Sequence, residues 1–322
     1  MLPRILARWL VLVGMLLLAF LGVVTTLNVT VYSASGFVSS YLHAVARQDV
    51  DDARRMPGVT VSAGGTDELL APGALASLTD IHLVRDTDDR GGRHTVLYGY
   101  TIGGSEGTSS FVVEHTGTRL GVFSAWRFVH SPQSLLSVTV RNGSGVVANG
   151  VTLPTTPADR VHSYRVLTPS RVVLSHSSTY LAAAKVAVLI DEPSTVAQAT
   201  VNIRANPAFV REVQKELDKF LAACTTQQVL LPTGCPMGKQ ITDRLQSAPT
   251  WTIVDYPVVT VVPGNTAGRW QVPETQAVAH LTVRVKSIFD GSLSTFDHDV
   301  PFTVRYLITF ADDGSPTITA QY

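Results

Sequence analysis

The chain has 322 residues, of which 45% are hydrophobic and only 16% are charged, below the roughly 25% typical of a soluble domain. Its 25 basic and 25 acidic residues cancel, which argues against a nucleic-acid partner, because such proteins carry an excess of Lys and Arg. High hydrophobicity at zero net charge also argues against disorder, and the length predicts about two domains with a buried core.

The charges are absent from one N-terminal segment. No Asp, Glu, Lys or Arg lies between Trp9 and Ala46. Residues 9–27 are almost wholly apolar, and as a helix they would rise about 28 Å, enough to cross a hydrocarbon core of about 30 Å. Arg4 and Arg8 precede this run, so the positive-inside rule places the N-terminus in the cytoplasm. We therefore expect a single-pass plasma-membrane protein that contacts the lipid bilayer through residues 9–27, with the rest of the chain outside.

A cleaved signal peptide is the alternative to this anchor. The fragment Tyr32-Ser33-Ala34-Ser35 is a candidate cleavage site. However, the apolar run is longer than the core of about 7–15 residues that signal peptides have. No later stretch reaches the length of a membrane span, so the anchor interpretation predicts one crossing.

Helices followed by strands are predicted for residues 36–131. Apolar residues at helical spacing predict that the helix leaving the membrane continues as an amphipathic one, and Asp49 is a candidate N-cap of a second, short helix. From residue 76 to 129 the pattern changes to period two. This pattern predicts four strands, separated by turn clusters at 88–92, 103–107 and 116–118.

The remaining chain divides into two regions. Residues 132–203 contain short β segments between turn clusters and no convincing helix, which predicts a small β-sandwich. Residues 204–322 begin with a clear amphipathic helix, capped by Asn206 and followed by Pro207 at its first position, and continue as strands. The predicted fold class is therefore α+β: a tail and anchor in residues 1–35, then two helix-then-antiparallel-meander modules that flank the sandwich.

A local echo connects the two modules. Five residues separate Trp126 from Pro132, and five separate Trp251 from Pro257. A Val/Thr-rich segment follows each proline. Together with the shared order of helix and strands, this echo makes two related modules a working hypothesis.

The cysteines are consistent with an exported domain. There are only two, Cys224 and Cys235, and no other Cys or His lies within four residues of either, whereas a metal site normally needs three or four ligands. In an outward-facing domain we expect the two to form a disulfide. The alternative is a redox-active pair, which usually has CxxC spacing.

One hydrolase motif and one acidic cluster need separate interpretation. Residues 103–107 satisfy GxSxG, but a nucleophile elbow joins a strand to a helix, and here a strand follows, so we predict a hairpin turn. The cluster Asp297-His298-Asp299 suggests a metal site. In a strand, however, its two carboxylates would share one face and the histidine the other, so we predict a solvated hairpin turn.

A speculative pocket is centred on Asp80, His82 and His94. Asp80 and His82 can share a strand face, and His94 and His115 lie on neighbouring predicted strands. A desolvated Asp in such a pocket could act as a base. The simpler interpretation places these residues on the solvent-exposed face or at the rim of the sheet. We predict no catalytic residue, no cofactor-binding residue and no metal ligand.

Two segments carry a family resemblance. Residues 35–56 (SGFVSSYLHAVARQDVDDARRM) resemble the opening helix pair of nuclear-transport-factor-2-like (NTF2-like) domains. Residues 217–238, followed by 248–259, are similar to a module of single-pass actinobacterial envelope proteins. The layout is distantly similar to the teicoplanin-resistance-associated membrane protein family, although the N-terminal tail lacks the cysteines of that family's cytoplasmic zinc ribbon. The resemblance implies extracytoplasmic modules in which a curved antiparallel sheet packs on helices.

The leading functional hypothesis is a non-catalytic, membrane-anchored, extracytoplasmic binding or scaffold protein of the bacterial cell envelope. Envelope proteins or cell-wall components are its expected partners, and nucleic acid is not. Two alternatives remain open. One is a small-ligand-binding or enzymatic pocket within an NTF2-like module, and the other is a subunit of an envelope transport or conjugation complex.

Overall fold

The computed structural model of the chain describes residues 2–156, 160–311 and 313–321. Within these ranges the fold is mixed α+β, with more residues in strands than in helices, which confirms the predicted class. Two short 3-10 helices, Glu68–Leu70 and Pro72–Ala74, precede the first sheet. The described α-helices are α1 (Leu2–Val29), α2 (Ala34–Ala46), α3 (Val50–Arg55) and α4 (Pro207–Thr225).

Helix α1 contains an apolar stretch that the rest of the protein does not cover. Trp9–Val29 has a mean hydropathy of 2.7, and 0% of it is buried in the protein. In the described part of the chain it is the one helix that is long and apolar enough to cross a membrane. A helix that is apolar on all sides requires an apolar environment, so this surface fits a lipid bilayer.

The helix is interrupted between α1 and α2, contrary to the predicted continuous helix. The Ser33 hydroxyl accepts a hydrogen bond from the amide of Gly36 and caps α2. Gly36 is required at this approach, because a Cβ there would collide with the carbonyls of Thr30 and Val31. The predicted cap of α3 is confirmed, since Asp49 accepts a hydrogen bond of 2.9 Å from the amide of Asp52.

The first sheet is an antiparallel meander in the order β1-β2-β3-β4. Helix α2 packs on it and buries Val38, Tyr41 and Leu42. The predicted turn at 116–118 is wrong: β3 continues through it, because Gly117 adopts φ 124° within a β-bulge. The strands are β1 (Leu78–Asp88), β2 (Arg93–Ile102), β3 (Ser105–Arg119) and β4 (Phe123–Phe128).

Two small sheets occupy the middle of the chain. In the first, β11 pairs in parallel with β5, and β8 lies on the other side of β5; the second has the order β12-β10-β9-β6-β7. Both sheets contribute buried side chains to one core. The described residues between 132 and 203 contain no helix, as the sequence predicts. The strands are β5 (Gln133–Arg141), β6 (Val146–Ala148), β7 (Val151–Leu153), β8 (Val161–Leu167), β9 (Ser170–Ser177), β10 (Leu181–Ile190), β11 (Val196–Asn202) and β12 (Arg204–Ala205).

The last sheet is built on two long strands and packs against α4. Asn206 caps α4 as predicted, accepting hydrogen bonds of 3.0 Å from the amides of Ala208 and Phe209. Three short strands pair with β16, which pairs with β17, and β17 pairs with β18. The strands are β13 (Arg244–Leu245), β14 (Thr250–Asp255), β15 (Val262–Pro263), β16 (Trp270–Lys286), β17 (Leu293–Phe310) and β18 (Pro316–Ala320).

The predicted hairpin turn at Asp297-His298-Asp299 is wrong. These residues lie inside β17, where they pair with Thr282, Leu281 and His280 of β16. The strand is 18 residues long. It continues through the acidic cluster because the two carboxylates point to one face, where a histidine of β16 receives them.

Hydrogen bonds join helix α2 and strand β3 to the middle sheets. The hydroxyl of Tyr41 on α2 donates to the carbonyl of Thr168 at 2.8 Å, and the hydroxyl of Ser109 donates to the carbonyl of Asp191 at 2.6 Å. Burial raises the pKa of Tyr41, so its phenol stays protonated and remains a donor. The middle sheets in turn share a continuous hydrophobic core with the last sheet. The middle sheets therefore pack against the first sheet's region on one side and share a core with the last sheet on the other.

Candidate functional site

The C-terminal end of helix α1 is fixed to the β3–β4 hairpin. The side-chain amide of Asn28 donates to the carbonyl of Val122 at 2.8 Å, and its oxygen accepts from the amide of Ser124 at 2.8 Å. The ring of Tyr32 stacks on Phe123 with 4.4 Å between centroids. These contacts place the hairpin turn beside the last turn of α1.

A cleft opens next to this junction, and we call it the membrane-end cleft. It lies between the segment that follows α1, the helices α2 and α3, and the β3–β4 hairpin, with a volume of about 580 Å³. Its apolar wall includes Tyr32, Phe37, Met56 and Trp126. The Trp126 indole N–H donates to the carbonyl of Tyr32 at 2.8 Å, so the wall is held by a hydrogen bond across the cleft.

The cleft carries unneutralised positive charge. Arg55 at the end of α3 and Arg119 at the end of β3 both line it. Among the described residues, the side chains of these two arginines make no salt bridge and no hydrogen bond. The one carboxylate in the lining, Asp52, is paired with Arg47 at 3.6 Å. An anion in the cleft would therefore find two free guanidinium groups.

The structure separates the three residues of the speculative pocket. Asp80 and His82 lie together, with His82 Nδ1 2.7 Å from the backbone oxygen of Asp80, and the His82 ring covers Gly99. His94 points to the opposite face of β2, since residues an odd number apart on a strand face opposite sides. There its Nδ1 lies 2.7 Å from Asp86 Oδ1. The three side chains therefore do not converge.

His94 and His115 instead flank Trp126 on the helix-facing side of the sheet. Their rings meet the indole edge-on at centroid distances of 5.1 and 5.3 Å respectively. They support the tryptophan that forms the cleft wall. Sequence reasoning missed the cleft because its walls come from segments about 90 residues apart, such as Tyr32 and Trp126, at a separation of 94.

A second polar cluster lies on the exposed face of the last sheet. His280 Nδ1 lies 2.8 Å from Asp299 Oδ1, and His280 Nε2 lies 2.9 Å from Asp297 Oδ1. Thr282 donates to the same Asp297 oxygen at 2.7 Å. The hydrogen bonds with Asp299 and Asp297 raise the pKa of His280, and those from Thr282 and His280 lower the pKa of Asp297. The arrangement stabilises an imidazolium between two carboxylates.

Metal chemistry has no candidate site in the described part of the chain. There, no group of three or more His, Cys, Asp and Glu side chains is arranged to hold a metal ion. The predicted hairpin turn at the GxSxG motif is confirmed at Gly103 and Gly104, which have positive φ angles of 55° and 81°, whereas Ser105 and the rest of the motif already belong to β3. No helix follows this serine to stabilise an oxyanion.

The predicted disulfide is confirmed. Cys224 and Cys235 are bonded and close a loop after α4. This loop covers Trp251, whose indole N–H donates to the carbonyl of Val229 at 2.8 Å. Trp251 is 2% exposed, so the last sheet is closed where this loop covers it.

Known proteins do not supply an identity. Comparison of the chain with family models, with curated proteins and with solved structures gave no match.

Proposed function

We propose that this chain is a single-pass membrane protein whose N-terminus is cytoplasmic and whose folded part is an extracytoplasmic binding or scaffold module of the bacterial cell envelope. The observation that carries the proposal is the junction between Asn28 and the β3–β4 hairpin. It joins an apolar helix, exposed along its length, directly to a folded domain. The disulfide supports an oxidising compartment for that domain.

We further propose that the first and last sheets belong to NTF2-like modules and that the middle sheets form a β-sandwich between them. In support, α2 and α3 pack together beside the first meander, and α4 packs on the last. The two middle sheets bury their facing side chains in one core, as the layers of a sandwich do. On this view the membrane-end cleft is the open concave side of the first module.

The binding role rests on the membrane-end cleft. A concave site with aromatic walls and a few unpaired polar groups is the usual form of a ligand-binding site. The site contains charge for recognition, and we assign it no acid, base or nucleophile. We therefore propose a non-catalytic role, with envelope proteins, cell-wall components or envelope lipids as the ligands.

The location can be tested on intact cells. Glu106→Cys introduces a free thiol at an exposed position, while the native cysteines are bonded to each other. We expect a membrane-impermeant maleimide to label this variant in intact cells, and the chain to remain in membranes after alkaline extraction. Labelling only after permeabilisation would contradict the topology, and release by alkali would contradict the anchor. The wild-type chain is the control, and without reductant it should show no reactive thiol.

One observation favours a second role, as a subunit of a larger envelope complex. The β16–β17 hairpin ends in an apolar tip, where Ile288, Phe289 and Leu293 are 74%, 98% and 63% exposed. Exposed apolar groups clustered in this way are typical of protein contact sites. A photo-crosslinking residue at position 289 should then capture a protein in cells, and the same group at position 106 should not. Equal yields at both positions would count against a specific contact.

A further inference from the structure

The membrane-end cleft lies at the level of the bilayer surface if α1 spans the membrane as proposed. Asn28 follows the apolar run by one residue, and at about 1.5 Å per residue its side chain falls in the headgroup layer. The hairpin turn is hydrogen-bonded to that side chain. The turn and the adjoining mouth of the cleft therefore face lipid headgroups.

The surface around the cleft mouth is apolar where it would meet the bilayer. Leu120, at the tip of the β3–β4 hairpin, is 90% exposed, and Val29 and Val31, at the end of α1 and just after it, are 76% and 55% exposed. The opposite end of the sheet is attached to the middle sheets. An apolar tip at the free end, next to a membrane helix, is well placed to insert into the interface.

The interior of the cleft complements a phosphate group. Arg55 and Arg119 have no carboxylate partner among the described residues, and a guanidinium group binds phosphate oxygens through two parallel hydrogen bonds. Tyr32 and Trp126 are residue types that favour the membrane interface. Asp52 does not cancel the charge, because it is paired with Arg47.

We propose that the membrane-end cleft binds the phosphate headgroup of an anionic lipid from the outer leaflet, out of which α1 emerges, and that Leu120 seats the β3–β4 hairpin in that leaflet. The inference deepens the proposed function, on which it rests. The lipid is the ligand because the charged cleft and the apolar tip lie on the same end of the module. A soluble phosphate compound would make use of the arginines alone.

Lipid selectivity tests the site. We would measure, by native mass spectrometry of the full chain in detergent micelles, the retention of added phosphatidylglycerol and of phosphatidylcholine at equal concentration. Wild type should retain the anionic lipid preferentially. Arg55→Gln with Arg119→Gln should reduce this retention by about tenfold or more, because charge-assisted hydrogen bonds are lost.

A matched control removes the same charge elsewhere. Arg141 and Arg204 are also exposed, but they lie in the middle of the chain. The double variant Arg141→Gln with Arg204→Gln should retain the lipid within about twofold of wild type. Equal losses in the two double variants would overturn the proposal, as would equal retention of the two lipids. Displacement of the lipid by equimolar inorganic phosphate would also overturn it, in favour of a soluble anion.

Depth measurements separate this inference from the membrane anchor. A fluorescent maleimide placed at Leu17→Cys, Leu120→Cys or Glu106→Cys labels one thiol, because Cys224 and Cys235 are bonded. In nanodiscs containing nitroxide-labelled lipids, we expect quenching at positions 17 and 120 and none at 106. Quenching at 17 but not at 120 would overturn the seated hairpin and leave the anchor intact. Absence of quenching at 17 would overturn the anchor itself.

Discussion

The first and last modules share a layout but differ in whether one end is open. In both, a helical segment precedes an antiparallel sheet, and a tryptophan indole donates to a loop carbonyl, Trp126 to Tyr32 and Trp251 to Val229. In the last module the disulfide loop covers the tryptophan, which is 2% exposed. In the first module no such loop is present, and Trp126 lines a cleft. The open end is the one that carries the apolar helix α1.

The two tryptophans are not equivalent in the fold, although the sequence suggested that they were. Trp126 lies on β4, the last strand of its meander, whereas Trp251 lies on β14, which pairs with β16 at the start of its sheet. The repeated Trp-x5-Pro spacing therefore does not mark corresponding positions. The modules share the order of their elements, and in each a tryptophan indole N–H donates a hydrogen bond to a loop carbonyl.

The largest contrast is expected when the two tryptophans are removed. Trp251→Ala should lower the free energy of unfolding by about 3–5 kcal/mol, because it leaves a cavity in a closed core. Trp126→Ala should cost about 1–2 kcal/mol, since a partly exposed ring loses less burial along with one hydrogen bond. Chemical denaturation of the full chain followed by circular dichroism measures both.

Trp9 provides the control for this comparison. It is 64% exposed on α1. Under the same denaturation conditions, with the full chain in detergent micelles, Trp9→Ala should change the unfolding free energy by less than about 0.5 kcal/mol. Equal costs for Trp126 and Trp251 would remove the distinction between an open and a closed module.

The second contrast concerns the disulfide that closes the last module. Replacing Cys224 and Cys235 together by alanine should lower the unfolding free energy by about 3 kcal/mol, because a short closed loop no longer restrains the unfolded chain. The loop that covers Trp251 should also exchange its amide hydrogens faster, while peptides from β3 and β4 exchange as in wild type. The measurement is hydrogen exchange with mass spectrometry. Unchanged exchange in the loop would show that packing alone keeps the module closed.

Local patterns were sufficient to predict much of the fold. Asn206, Asp49 and the cysteine pair act through neighbours close in sequence, so their roles as caps and as a disulfide could be foreseen. The acidic cluster around His298 was misjudged because its partner, His280, lies on another strand. A polar run looks like a turn when the opposing strand is unknown.

The candidate site could not be predicted for the same reason. The membrane-end cleft depends on Asn28 meeting Val122 and on Trp126 meeting Tyr32, contacts that span more than 90 residues. Asp80, His82 and His94 were chosen from strand spacing alone. Asp80 and His82 do lie together, but His94 points to the opposite face of the sheet, where it contacts Asp86.

The third prediction tests the junction that distinguishes the first module. Asn28→Ala removes two hydrogen bonds to the β3–β4 hairpin, which should cost about 1–2 kcal/mol of local stability. Amide exchange in residues 120–124 should accelerate, and exchange in the last module should not change. Asn28→Gln is the control for polarity, because its longer side chain keeps the amide but shifts it out of register. Slow exchange in the alanine variant would mean that Tyr32 stacking holds the hairpin unaided.

The smallest effect is expected at the His280 cluster on the exposed face of the last sheet, where the histidine has two carboxylate partners, whereas His94 of the first sheet has one, Asp86. The groups that face His280 are Asp299 and Asp297 from β17 and the uncharged Thr252 from β14. Because its pKa in the folded protein is raised, protonated His280 stabilises the fold below its ordinary pKa of about 6.5, and this contribution disappears as the pH rises through the raised value. His280→Gln should therefore reduce stability at pH 5.5 and leave it nearly unchanged at pH 9. An NMR titration of the histidine ring should give a midpoint above about 6.5, and Asp297→Asn with Asp299→Asn should return it to the ordinary value. A midpoint that does not move when both carboxylates are removed would show that they do not hold the proton on His280.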